Sequence, residues 1–125
     1  MIVAGIGMRA GASGQEIVDL VRRAMADAAV ARLDGLATLE ARAREPGFTD
    51  AAARLGLPGI PVSPLSLLAK AASVLTQSAR VEALHGVGSV AEASALAAAG
   101  GNARLLLPRI ASATVTCALA EGGLP

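Results

Sequence analysis

Aromatic residues are almost missing from this chain: one Phe, no Trp and no Tyr. With nothing to stack on bases, and eleven basic residues balanced by ten acidic ones for a formal charge of +1, a nucleic-acid surface is not expected. Cysteine and histidine are as scarce, with one of each. Cys117 and His85 cannot build a disulfide framework or a multi-residue Cys/His metal cluster, and neither a metal nor another cofactor is expected. Long apolar runs are absent too. No stretch reaches the about 18 uninterrupted apolar residues of a membrane span, and the most apolar tail, Ile110 to Ala120, is interrupted by Ser112, Thr114 and Thr116. No basic segment precedes Ile2, which argues against a secretory signal. The expectation is a soluble, cytoplasmic domain that contacts neither membrane nor nucleic acid.

What the chain has in abundance is small apolar residues. Hydrophobic types make up 54% of its 125 residues, much of that alanine, and this length suits a single domain over residues 1–125. Ile2 to Ile6 is short, apolar and β-branched, as a buried strand should be. Ser13 stands three residues before Glu16, ahead of apolar positions at Ile17, Leu20, Val21, Ala24 and Ala28. That is a capping box, in which hydroxyl and carboxylate serve each other's amides, opening a helix from Gly14 to Ala31. Leu36 to Glu40 reads as a second strand and "ARAREPGF" as a loop. Pro46 opens a short helix to Leu55, stopped by Gly56. Gly59 to Val62 is a brief strand, and Ser63–Pro64 caps a helix reaching Val74. Ser89 and Glu92 form a second S-x-x-E box at the start of a helix over Val90 to Ala99. Arg104 to Leu107 and Thr114 to Ala120 read as closing strands around a Pro–Arg turn, with Cys117 a buried, inert thiol. Strands alternating with helices predict a three-layer α/β/α domain. The short link between the last strands forces an antiparallel pairing, giving a mixed sheet of about five strands.

The stretch "GIGMRAGAS" invites a nucleotide reading, because Gly5, Gly7 and Ala10 satisfy a permissive G-x-G-x-x-A pattern with Glu40 downstream. The helix cap at Ser13 comes too late for that fingerprint, so a nucleotide-dependent enzyme is the least favoured reading. A glycine-rich turn, free helix amides and Arg9 suit a carboxylate or phosphate instead. Glu45, held out of helical geometry by Pro46 and flanked by Arg42 and Arg44, is a candidate base or ligand contact; an ion pair or a helix cap serves as well. Glu92 has its capping explanation. Ser78 and Ser89 have only His85 near them in sequence, and no nucleophile-elbow pattern occurs.

Taken together, "VAGIGMRAGAS", "ATLEARAREPGF", "SVAEASALAAAG" and "LLLPRIASATVTCALA" resemble, in order, the blocks of the cobalamin biosynthesis family that comprises CobE and the C-terminal domain of CbiG. Ser78 and Gly86 match the approach to the third block. Met8 stands where a Cys is frequent, Arg42 and Arg109 where Lys is, and Arg44 where an acid is. The resemblance implies a role in making the corrin ring, by the aerobic route for a free-standing domain. The expected partner is a carboxylate-rich precorrin or corrin intermediate, with other corrin-pathway enzymes and a second copy of the chain as further candidates. Such a ring needs an apolar wall and a rim of cations or amides. Gly7, Arg9, Ser13, Arg42, Ser78, Ser89 and Arg109 are the candidate ligand contacts. If the chain hydrolyses a corrinoid lactone, as CbiG does, Glu45 or Glu92 would activate water. Binding, transfer and hydrolysis all stay open at this point.

Overall fold

Alternating side chains of one short strand set up two separate cores. The strand is β1 (Ile2–Met8); it sends Ala4, Ile6 and Met8 to one face of a sheet and Val3 to the other, as the two-residue period of a strand requires. The computed structural model describes residues 1–71 and 90–123. Along the chain β1 is followed by α1 (Gly14–Ala28), β2 (Gly35–Leu39), a 3-10 turn (Glu40–Arg42), α2 (Pro46–Leu55), β3 (Gly59–Val62) and α3 (Pro64–Ala71). Then come α4 (Val90–Ala99), β4 (Arg104–Ala111) and β5 (Val115–Glu121). The strand order is β3-β2-β1-β5-β4. The pairs β1–β2 and β2–β3 are parallel, while β1–β5 and β4–β5 are antiparallel.

Helices cover both faces. On one, α1 and α2 bring Ile17, Leu20, Val21, Phe48 and Ala51 against Ile6, Leu36, Cys117 and Leu119. On the other, Leu67 of α3 and Val90, Ala93, Leu96 and Ala99 of α4 pack on Val3, Ala37 and Ala120. The domain is therefore the expected three-layer α/β/α arrangement around a mixed five-stranded sheet. One buried polar group inside it is satisfied: the Thr38 hydroxyl donates to the Ile6 carbonyl at 2.8 Å. Burial pushes the Cys117 thiol up to about 12, so it stays protonated and unreactive. No described helix is long and apolar enough to cross a membrane.

Gly5 is explained by packing and not by phosphate binding. A Cβ there would run into the Ala91 carbonyl and the Ala95 amide, so the glycine lets the α4 backbone seat directly on β1.

Four local expectations need correction. Helix α1 ends at Ala28, not Ala31, because Ala29 turns left-handed (φ 55°) and its amide closes on Ala26. The second strand stops at Leu39, and Glu40 begins the 3-10 turn in place of a plain loop. The Pro108–Arg109 pair is not a turn but lies within β4. Register shifts between Leu105 and Leu107 and between Leu107 and Ile110 fit it in as bulges. Both strand prolines, Pro61 and Pro108, fall on the two edge strands, where a missing donor is tolerated. Finally, the capping box at Ser13 is only half formed. Ser13 Oγ accepts the Glu16 amide at 3.1 Å, but the Glu16 carboxylate turns to the other end of the chain.

Candidate functional site

The β1–α1 turn and the β2–α2 connection meet beyond the carboxyl ends of their strands. Two contacts join them. The Gly11 amide donates to Glu45 Oε1 at 3.0 Å. Gly47 lies so close to the Ala12 carbonyl that a Cβ would collide with it. Glu45 is the residue just before α2, set extended by the following proline, so its carboxyl reaches back across the gap. Its second oxygen accepts from Arg42 at 2.8 Å. The Gly11 amide first, and then Arg42, hold this carboxyl below its ordinary range against the opposing effect of burial. A carboxylate with both oxygens engaged and its pKa lowered is a poor proton acceptor near neutral pH. The Arg42 charge is likewise matched within the chain.

Arg9 is exposed, and its side chain has no partner among the described residues; its amide donates to the Thr114 carbonyl at 3.1 Å. Ser13 caps α1. Gly7 lies within β1 opposite Thr116, whose hydroxyl donates to the Gly7 carbonyl at 3.4 Å. Arg9, Ser13, Arg42 and Glu45 thus gather at one end of the sheet. Arg109 and Glu92 form a separate pair: the Arg109 amide donates to Glu92 Oε2 at 3.3 Å. Glu92 is 1% exposed, and its other oxygen has no partner among the described residues. Burial raises its pKa, with the Arg109 amide pulling the other way. Since α2 and α4 cover opposite faces, Glu45 and Glu92 sit in different layers. Ser78, Ser89, His85 and Gly86 lie outside the described residues, and so does the capping bond expected between Ser89 and Glu92.

A hollow lies beside this gathering, and among the described residues it shares none of the candidates. It is an open cavity of about 750 Å³ between the 3-10 turn, α2 and the edge strand β3. Ala41, Ala43, Phe48, Ala52 and Pro61 supply its apolar lining, while Glu40, Arg44 and Thr49 are its polar members. Its volume falls within the range of small-molecule sites. Phe48, at 1% exposure, anchors α2 beneath it.

A sequence profile described as "Cobalamin synthesis G C-terminus" matches residues 2–120. The chain belongs to that family. It is 38% identical over 121 residues to "Protein CobE" of Sinorhizobium sp, covering 95% of this chain and 79% of that one. Its fold is similar to a crystal structure of CobE, a protein from the cobalamin (vitamin B12) biosynthetic pathway, with a TM-score of 0.81 and 34% identity over 96% of this chain and 89% of the other. It is also similar to the cobalamin biosynthesis protein chiG of Agrobacterium tumefaciens str. C58, with a TM-score of 0.79, 40% identity, and 99% and 100% of the two chains covered.

In this cobalamin synthesis G C-terminal domain, the sequence reading missed two features. One is the reach of Glu16, whose carboxylate accepts from the Thr114 amide at 2.9 Å, the Thr114 hydroxyl at 2.8 Å and the Ser112 hydroxyl. These bonds, the Ser112 one foremost, lower its pKa and tie the β4–β5 turn to the start of α1. The other is the cavity itself. Its one sequence signal is Glu40 and Arg44, two of the four ionic residues inside "LEARAREPGF", which mark the rim, while the apolar lining comes partly from β3.

Proposed function

We propose that this domain binds a carboxylate-rich tetrapyrrole intermediate of corrin synthesis, of the precorrin or hydrogenobyrinate type, and hands it on within the pathway. The cavity beside β3 carries this reading. It offers an apolar lining for the face of a ring and a guanidinium, Arg44, unpaired among the described residues, for an acetate or propionate side chain. The exposed Arg9 side chain is a further donor at the same end of the sheet. Membership of the cobalamin synthesis G C-terminus family supports the choice of ligand. Binding is favoured over lactone hydrolysis because Glu45 is committed to Gly11 and Arg42, and Glu92 does not line the cavity.

The test is a titration of the purified protein with corrin intermediates, followed by visible absorption. A perturbed, saturable spectrum is expected. The Arg44→Ala variant should bind about tenfold more weakly, the scale of one lost charge-assisted hydrogen bond, with an unchanged melting temperature. No spectral change with any intermediate, or an unchanged dissociation constant in the variant, would overturn the assignment.

A further inference from the structure

Of the described residues lining the cavity, only Glu40 and Arg44 are ionic, and both are exposed. Their spacing of four would make an ion pair along a regular helix. Here the 3-10 turn ends at Arg42, before Arg44 can return beneath Glu40. Among the described residues neither side chain forms an ion pair or hydrogen bond, with the other or with anything else. Their neighbours differ: Arg42 is matched by Glu45 at 2.8 Å and Arg54 by Asp50 at 3.1 Å. One cavity therefore keeps an unmatched acceptor and an unmatched donor beside the same apolar surface.

We propose that these two residues read different side chains of one ligand, Arg44 taking a carboxylate and Glu40 the N–H of a primary carboxamide. The inference rests on the tetrapyrrole reading and narrows it. The ligand class becomes a ring bearing both free acids and amides, in preference to the same ring with acids alone. The guanidinium presents a fork of donors and no acceptor, so it suits a carboxylate. Glu40, when ionised, accepts only. It gains a charge-assisted hydrogen bond from an amide, whereas a second carboxylate there meets like charge. The apolar lining of Ala41, Ala43, Phe48 and Ala52 displaces water from one side and strengthens both effects. Discrimination arises from a repulsive contact as well as an attractive one.

The experiment compares one corrin ring in two forms, the free polyacid and a chemically prepared partial amide, titrated against wild type, Glu40→Gln and Arg44→Gln. Wild type should bind the partial amide about tenfold more tightly than the polyacid. Glu40→Gln should lose that preference, because a glutamine amide serves either group. Arg44→Gln should weaken both forms and keep the preference. Equal affinity of wild type for the two forms, or a preference that survives Glu40→Gln, overturns the inference and leaves tetrapyrrole binding standing. Failure of wild type to bind either form overturns both. Circular dichroism melts of the variants should match wild type, as both side chains are exposed and unpartnered.

Discussion

On the α1/α2 face of the sheet the core is built from large side chains, with Ile6, Ile17, Leu36, Phe48 and Leu119 all fully buried. On the α3/α4 face small residues set the closest approach, with Ala91 and Ala95 seated against Gly5 and with Ala93 and Ala99 in a core that includes Ala37 and Ala120. The first face leaves a hollow where large residues meet an edge strand. The second brings backbone against backbone. Their carboxyl groups differ in the same sense: Glu16 and Glu45 are well supplied with donors, whereas Glu92 is enclosed with one donor among the described residues. A face of large residues can shape a ligand site, while a face of small ones fixes the distance between helix and sheet.

The largest expected effect comes from removing the anchor of the first face. Phe48→Ala deletes a ring at 1% exposure and should cost about 3–5 kcal/mol in chemical denaturation. It should also weaken ring binding, since Phe48 lines the cavity. A loss within the noise of a surface substitution would mean that this face is not held by its large side chains. The opposite change tests the other face. Gly5→Ala adds one methyl where the Ala91 carbonyl and Ala95 amide already sit, and overpacking there should cost about 1–3 kcal/mol. A neutral result would mean that α4 is free to lift off β1 and that close seating is not what defines this layer.

The same contrast explains what could be read from the chain. Helix starts and stops were legible at Ser13, Pro46, Gly56 and Ser63–Pro64, because capping and proline chemistry act within a few residues. The mixed sheet followed from the length of one connection. Three things were not legible. The end of α1 at a left-handed Ala29 carries no glycine signal. Glu16 looks like a local capping partner, and its bonds to Ser112 and Thr114 span nearly the whole chain. Pro108 looks like a turn until β4 is known to be an edge strand able to bulge. Of the site, Arg42 and Glu45 were singled out correctly as neighbours, but their mutual pairing left the unmatched Arg44 and Glu40 as the cavity's charges. The apolar lining depends on how β3 packs beside α2, which residue spacing does not encode.

The finest distinction between the two faces is the sign of a pH effect. Glu16 has its pKa lowered below the ordinary 4.5 by its Ser112 and Thr114 bonds, so it contributes stability fully above 4.5 and loses it as pH falls through the folded value. Glu92 has its pKa raised above 4.5, by burial first. Its ionisation therefore opposes folding, an effect absent well below 4.5 and complete once pH exceeds the folded value. Glu16→Gln should lower the melting temperature at neutral pH, with the deficit shrinking in acid. Glu92→Gln should gain on wild type as pH rises from 4 to 8, because an amide can still accept the Arg109 N–H without ever ionising. Melts of the three proteins across that range should give difference curves that slope in opposite directions with pH. Parallel curves would mean that the donors around Glu16 and the enclosure of Glu92 do not govern their charges, and the contrast between the faces would then reduce to side-chain size alone.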